Sequence, residues 1–312
     1  MTRVLVTGAA GSVGGEVARL LVERGQTVRR VMAQSDDAIP VDGVEVLCGD
    51  MSSVTDVARA LEGVRRAFLE IPEDNGAAFE AGAARASLDH VVLLSSFATF
   101  IRLPSGDANT VRARCRLGEE ALTRARVPST FLRCAGFDDD ILRWTSAIGE
   151  GLVRAPFADV PLPKVHPGDI AACTAEILAG GAPEPGAYVL TGPERITIRQ
   201  EVAVLRELLG TPLTLEELSF DGAMASFPDG TPDLVRRSLL ETLDEAASAL
   251  VVTDDVEHPQ LRSNRARRAQ LPGLGFRTPR GVRLTGADLI TIKLPSRKPP
   301  RGTRQRAHRH HG

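Results

Sequence analysis

Short apolar runs alternate with longer stretches of helical period along most of the chain. Val4 to Val6 is too short for a helix and leads into glycines. From Ser12 onward Val13, Val17, Leu20 and Leu21 recur at helical spacing, with Glu16, Arg19 and Glu23 opposite them, and Gly25 supplies a stop. The alternation then repeats. Residues 27–33 read as a second strand and 44–47 as a third. A helix is expected from Ser53, with Asp56 completing a capping box and Val57, Leu61 and Val64 inward. Residues 67–71 form a fourth predicted strand, closed by Pro72, and a helix follows over 76–87. The fifth strand, 91–94, ends in Ser95-Ser96. A loop over 97–109 precedes a helix over 112–124 with Leu117, Ala121 and Leu122 inward, and then a sixth strand over 129–133.

Past that point the pattern loses regularity. A helix over 138–148 carries Trp144. A second begins at Gly168-Asp169 with Ile170, Thr174, Ile177 and Leu178 inward, and Tyr188 to Leu190 is a short strand. Thr197 and Gln200 box the start of a helix over 198–209 that Gly210 ends. Residues 214–218 suit a strand, and Thr231-Pro232 opens a last helix through Leu250. Six strands interleaved with helices in a βαβαβαβαβαβ pattern, followed by mixed elements, predict an α/β protein, a doubly wound parallel sheet with a small mixed C-terminal lobe.

The chemistry sits where the first strand meets the first helix. Gly8, Gly11 and Gly14 lie in Thr7-Gly8-Ala9-Ala10-Gly11-Ser12-Val13-Gly14, one residue wider at the start than the G-x-G-x-x-G fingerprint. Strand, glycine turn and helix N-terminus form an anion site, because the turn lets a phosphate approach and the free N–H groups stabilise it. This is the Rossmann-type arrangement for a dinucleotide; the alternative is a tight turn that holds nothing. In such a fold an acid at the end of the second strand favours NAD, and a nearby arginine favours NADP. Met32-Ala33-Gln34-Ser35 offers neither, and Arg29 and Arg30 read as a solvated edge unless Arg30 faces the site. Asp50 is either a helix-entry residue or a contact at an adenine edge. Ser95 and Ser96 end a central strand, so they are either substrate-side hydroxyls or caps of the next turn. Asp169 reads as a helix N-cap and His166 as a loop residue.

The chain has 312 residues and one Tyr, Tyr188. No apolar run is long enough to span a bilayer and no signal-peptide pattern opens the chain. Cys48, Cys115, Cys134 and Cys173 lack metal or disulfide spacing and read as buried reduced thiols of a cytoplasmic protein, with no metal site expected. Residues 259–312 hold 14 Lys and Arg against one acid, Asp288, which leaves 24 bases and 39 acids in the first 258. An acidic body is a poor nucleic-acid surface. The expected partner is a small-molecule substrate, with no membrane and no nucleic acid; self-association into a homo-oligomer is left open.

Val4–Gly14, Gly49-Asp50-Met51, Phe68–Pro72, Val91–Ser96, Thr130–Arg133, Asp169-Ile170-Ala171 and 197–218 fall in the order and spacing of the NmrA-like family of atypical short-chain dehydrogenase/reductases, which the chain resembles over 1–258. The resemblance implies NAD(P)H as cofactor. Thr7, Gly8, Gly11, Ser12, Val13 and Gly14 would hold the pyrophosphate. Asp50 and Met51 would touch the adenine, Ile71 and Pro72 the nicotinamide ribose, and Ser95 and Phe137 would line the substrate side. It divides the chain into a dinucleotide-binding domain with a substrate lobe, formed mainly by 134–165 and 185–250, and the basic tail 259–312.

Departures from that family matter equally. Many members carry Arg where this chain has Ala33, which puts an NADP preference in doubt. The family often has Asn in place of Asp140. The Tyr–Lys pair of ordinary short-chain dehydrogenases cannot form, which disfavours an epimerase or dehydratase. The tail replaces a usual last helix, and three readings stand: a disordered basic tail, a nucleic-acid-binding arm with only Phe276 to stack, or an out-of-frame reading of a GC-rich gene. Two functions fit. One is an NAD(P)H-dependent oxidoreductase that passes hydride to a quinone or similar conjugated carbonyl. The other is a non-catalytic redox sensor that binds the dinucleotide. The absent acid/base pair favours the sensor; the lack of an obvious partner surface favours the enzyme.

Overall fold

Arg3–Val6 forms β1, and all three of its apolar side chains are buried. The glycine turn then delivers the chain into α1 (Ser12–Glu23), whose Val13, Val17, Ala18 and Leu21 pack on the sheet. The remaining strands repeat the unit: β2 (Thr27–Met32), β3 (Val44–Cys48), β4 (Val64–Leu69), β5 (His90–Ser96) and β6 (Ser129–Cys134). The connecting helices are α2 (Val54–Ala60), α3 (Ala77–Ala83) and α4 (Thr110–Arg124). Later elements are α5 (Thr145–Glu150), β7 (Leu152–Pro156), α6 (Pro167–Glu176), β8 (Gly186–Leu190), α7 (Ile198–Leu209), β9 (Thr214–Leu218), α8 (Phe220–Ser226) and α9 (Asp233–Ala249). This computed structural model describes residues 3–32, 43–181, 185–192 and 194–249. The end of the second predicted strand at Ala33-Gln34-Ser35 and the basic tail 259–312 lie outside the described residues.

Seven parallel strands make one sheet in the order β3-β2-β1-β4-β5-β6-β8. The order reverses at β1, so the crevice outside the carboxyl ends of β1 and β4 is the switch point where such folds take ligands. One apolar layer lies between the sheet and α1 and α6, built on Leu21, Phe68, Leu132, Ile170 and Leu178. The other, on Leu5, Phe79, Leu93, Leu122 and Ile71, lies under α2, α3 and α4. A parallel pair of β7 and β9 forms a second, small sheet beside α5 and α7.

Several local readings are corrected. Val64 opens β4 instead of facing inward from a helix, because Leu61 already caps α2. Leu117 is exposed on α4; Cys115, Gly118, Ala121 and Leu122 mark the buried stripe, and Leu117 falls beside it. Residues 138–144 wind as a 3-10 turn before α5 begins. His166, not Asp169, caps α6, its Nδ1 accepting the Gly168 N–H at 2.9 Å. Ser53 caps α2 by accepting the Asp56 N–H at 3.4 Å, but Asp56 returns its carboxylate to the Asp50 N–H at 2.9 Å, so no box closes there. At Thr197 and Gln200 the box does close. Cys48 is exposed, while the other three cysteines are buried and all four are free. β7 and α8 were not expected; their short sequences carry no clear period.

Candidate functional site

Thr7 ties the end of β1 to the end of β4. Its N–H donates to the Phe68 carbonyl at 3.1 Å and its hydroxyl oxygen accepts the Glu70 N–H at 2.8 Å. Gly8 then turns at φ +61°, a conformation that disfavours a side chain, and its carbonyl accepts the Gly11 N–H at 2.9 Å. Gly14 lets α1 settle on this turn: a Cβ there would overlap the Gly8 and Thr7 carbonyls. Gly11 precedes α1 without any side-chain cap, and the first turn holds no acid. The positive end of α1 therefore faces the crevice uncompensated by its own residues.

Two charged side chains reach this turn. Arg30 comes from β2, and its guanidinium donates to the Ala9 carbonyl at 2.5 Å while its Nε is buried without a hydrogen-bond partner. It is thus not a solvated edge residue. Neither is Arg29, buried against Glu45 and the carbonyls of Arg59, Ala60 and Glu62. The other is Glu70, just past β4. Its carboxylate fills the space that a Cβ on Gly8 would need and lies 3.6 Å from that of Gly11. Burial pushes the Glu70 carboxyl up to about 7, with Arg114 pulling the other way.

Around the rim, Asp50 is exposed beyond β3 and accepts the Ser52 N–H at 2.8 Å, while Met51 is half-buried against the layer under α2 and α3. Ile71 is buried at the end of β4, and its carbonyl accepts from Arg114. Gly118 of α4 makes room for it, since a Cβ there would press on Ile71 Cγ1 at 3.2 Å. Pro72 follows half-buried, its carbonyl accepting the Asn75 N–H at 3.1 Å. Ser12 and Gly11 are exposed and Val13 is buried, so Val13 can offer a ligand only its backbone.

At the ends of β5 and β6 Ser95 donates its hydroxyl to Glu119 at 2.6 Å. Arg133 clamps the same carboxylate with two bonds, 2.9 and 2.6 Å, and lies 5.8 Å from the Phe100 ring centre. Ser96 instead caps the 3-10 turn at Phe97–Thr99. The Cys115 thiol lies beside Ser95, and burial raises it to about 11, well out of the thiolate range. Phe137 is half-buried on the α1 side and bridges to Val165. Next to it Asp138 has one carboxylate oxygen buried without a partner, and burial raises its carboxyl while His166 draws it down. Lys164 and Glu201 form a buried pair at 2.6 Å.

The structure brings Thr7, Gly8, Gly11 and Gly14 into one cradle and sets Ile71 and Pro72 on its β4 side. Asp50 lies at the end of β3, Ser95 at that of β5, and Phe137 just past β6. Glu70, Glu119 and the Lys164–Glu201 pair went unrecognised in the sequence. For Glu70 a signal existed: it is an acid set directly after the apolar Ala67-Phe68-Leu69 end of a central strand. A cleft of about 410 Å³ lined by Val54, Leu61, Val64 and Arg85 opens at the other end of β4 and is separate from this crevice. Among the described residues no three metal-ligating side chains cluster, and no helix is long and apolar enough to cross a membrane.

The model of the NmrA-like family matches residues 1–247. The chain belongs to the NmrA-like family. A relative in Streptomyces griseus, (4-alkanoyl-5-oxo-2,5-dihydrofuran-3-yl)methyl phosphate reductase, is 36% identical over 249 residues, covering 77% of this chain and 86% of that protein. NAD(P)H azoreductase of Xenophilus azovorans is 25% identical over 253 residues, 78% of this chain and 85% of its own. Among solved structures, the NADPH-dependent quinone oxidoreductase of Escherichia coli superposes with a TM-score of 0.66 at 20% identity, over 81% of this chain and 92% of that one. The Citrobacter triphenylmethane reductase bound to NADP(H) gives 0.64 at 19% identity, over 84% and 99%. These two share the fold of this NmrA-like chain.

Proposed function

We propose that this chain is an NAD(P)H-dependent reductase of conjugated carbonyl compounds, such as quinones or unsaturated lactones. One observation carries the cofactor: a glycine cradle where Cβ atoms at positions 8 and 14 would collide, opening on an α1 N-terminus without a cap. A pyrophosphate fits there once the Glu70 carboxylate has turned aside. Thr7, Gly8, Gly11, Ser12, Val13 and Gly14 would hold it, largely through backbone N–H groups. Asp50 and Met51 would border the adenine, and Ile71 and Pro72 the nicotinamide ribose. Arg30, with its unpaired buried Nε, supplies a cation on the β2 side, where the adenosine ribose lies in this fold, so NADPH is accepted although Ala33 is not a basic residue.

The substrate class follows the relatives. The Streptomyces griseus relative is named for reduction of a ring in which a lactone is conjugated, and the Xenophilus relative for reduction of an azo compound. Both names are those of catalysts, which favours the enzyme over the sensor. A bound nicotinamide supplies hydride. The protein's part is orientation and exclusion of water. Phe137 and the Ser95 end of β5 wall the substrate side; the Ser95 hydroxyl donates its hydrogen bond to Glu119, so it offers a lone pair and no acid. An electron-poor acceptor needs no strong acid at the moment of transfer, and water completes the protonation. The four free thiols suit a reducing, cytoplasmic setting.

The test is loss of reduced-nicotinamide absorbance with a simple quinone and with an unsaturated lactone, run with NADH and NADPH, beside a binding titration of each nucleotide. Turnover with either acceptor is expected. Tight binding without turnover over a panel of acceptors would leave the sensor, and no binding by folded protein would remove both.

A further inference from the structure

Glu70 occupies the place where an anion would rest. Its main chain is pinned by the 2.8 Å bond from its N–H to Thr7, so the side chain starts from a fixed point at the mouth of the crevice. From there it folds back over the glycine turn. The carboxyl carbon and both oxygens stand in the volume of a Cβ on Gly8, and Oε1 is also in contact range of the Gly11 position. Among the described residues the carboxylate receives no hydrogen bond. The β1–α1 turn beneath it carries no titratable side chain. Arg114 is the charge that faces it from α4, its guanidinium already donating to the Ile71 carbonyl, and Arg30 from β2 is bonded to the Ala9 carbonyl of the turn.

We propose that Glu70 is a built-in competitor for the dinucleotide phosphate, so that the protein binds its cofactor more weakly as pH rises through neutrality. The proposal rests on the dinucleotide reading of the cradle. Two anions cannot share one partly desolvated hollow, because their repulsion is screened far less there than in water. A pyrophosphate can enter only when Glu70 swings off the turn, and an ionised carboxylate still anchored at the mouth then repels it, so its proton is held more tightly in the complex than in the free protein. Above neutral pH the side chain is ionised, and its pinned main chain keeps that charge at the mouth beside the phosphate, so the nucleotide binds against it. Below neutral pH it is a neutral side chain that turns aside at small cost. Nucleotide binding is then coupled to proton uptake, and the dissociation constant rises by up to about tenfold per pH unit above the carboxyl's own titration.

The experiment is a calorimetric titration of the full chain with NADH, which lacks the 2′-phosphate whose own ionisation would overlap. It compares the wild type with Glu70→Gln at about pH 6 and about pH 8.5, with Glu70→Ala as a second variant and circular dichroism as a check of folding. Repeating the titration near pH 7 in two buffers of different ionisation heat counts protons. The expected result is a wild-type dissociation constant at least about tenfold higher at the alkaline pH, little change in either variant, and proton uptake in the wild type alone. A wild-type affinity that is flat with pH, or a slope that both variants keep, overturns the proposal and leaves the cofactor assignment standing. No binding of NADH, or of NADPH in a parallel titration, by any of the three proteins at either pH overturns the dinucleotide reading and this proposal with it.

Discussion

At the scale of single residues, two positions in the cradle decide the most. Gly14 is where α1 touches the turn, with its Cα facing the Gly8 and Thr7 carbonyls. Gly14→Ala forces the helix off the turn. The expected cost is about 1–3 kcal/mol of stability, from overpacking, together with a marked loss of nucleotide affinity, measured by denaturant unfolding and by titration. Gly8 and Gly14 were legible as a pair from spacing alone. Glu70 was not, because its importance lies in the direction its side chain takes. It also bears on folding. Its carboxyl is raised in the folded state, so its share of stability is complete below the ordinary carboxylate range and is lost as pH rises through about 7. Between about pH 5 and pH 8 the wild type should therefore lose roughly 1–3 kcal/mol relative to Glu70→Gln, read as diverging melting temperatures in a pH series.

At the scale of elements, β5, β6 and α4 are joined by a buried carboxylate. Glu119 of α4 takes the Ser95 hydroxyl from β5 and the Arg133 fork from β6. Removing one partner of such a pair leaves a charge in a poorly solvated place. Arg133→Met is expected to destabilise the protein by about 3 kcal/mol, while Glu119→Gln with Arg133→Met together should recover much of that; a double-mutant cycle in urea measures it. The sequence pointed to Ser95 as a site residue because it ends a central strand. Its actual partner came from a helix 24 residues later, a separation that no local pattern encodes. Helix ends show the same contrast. Thr197 and Gln200 form the box they spell, because both bonds close within one turn. Asp56 does not, because the Asp50 N–H arriving from β3 takes its carboxylate instead.

At the scale of the whole molecule, the order of strands places the cradle. β1 lies between β2 and β4, and the crevice at that reversal is flanked by Arg30 from one side and Glu70 from the other. The smaller sheet of β7 and β9 draws on segments more than fifty residues apart, and Arg154 meets Glu216 across it at 2.9 Å. Phe137 and Val165, also distant in sequence, bridge at the end of β6 and help set the far wall of the crevice. The family match over 1–247 covers both the main sheet and this second pair.

The sequence by itself determined the alternation of strands and helices, the parallel sheet and the glycine turn. Each of these is written in local spacing: periods of two or 3.6, short apolar runs, and glycines where a backbone must come close. Tertiary structure alone decided where the charges went. Arg29 and Arg30 look alike on one strand, yet one is buried against three carbonyls and the other reaches the glycine turn. Glu70 lies over the cradle and Glu119 beneath Ser95 because β4, β5 and α4 converge there. A buried charge is settled by what surrounds it in three dimensions, since its solvation and its partners come from segments far apart in the chain.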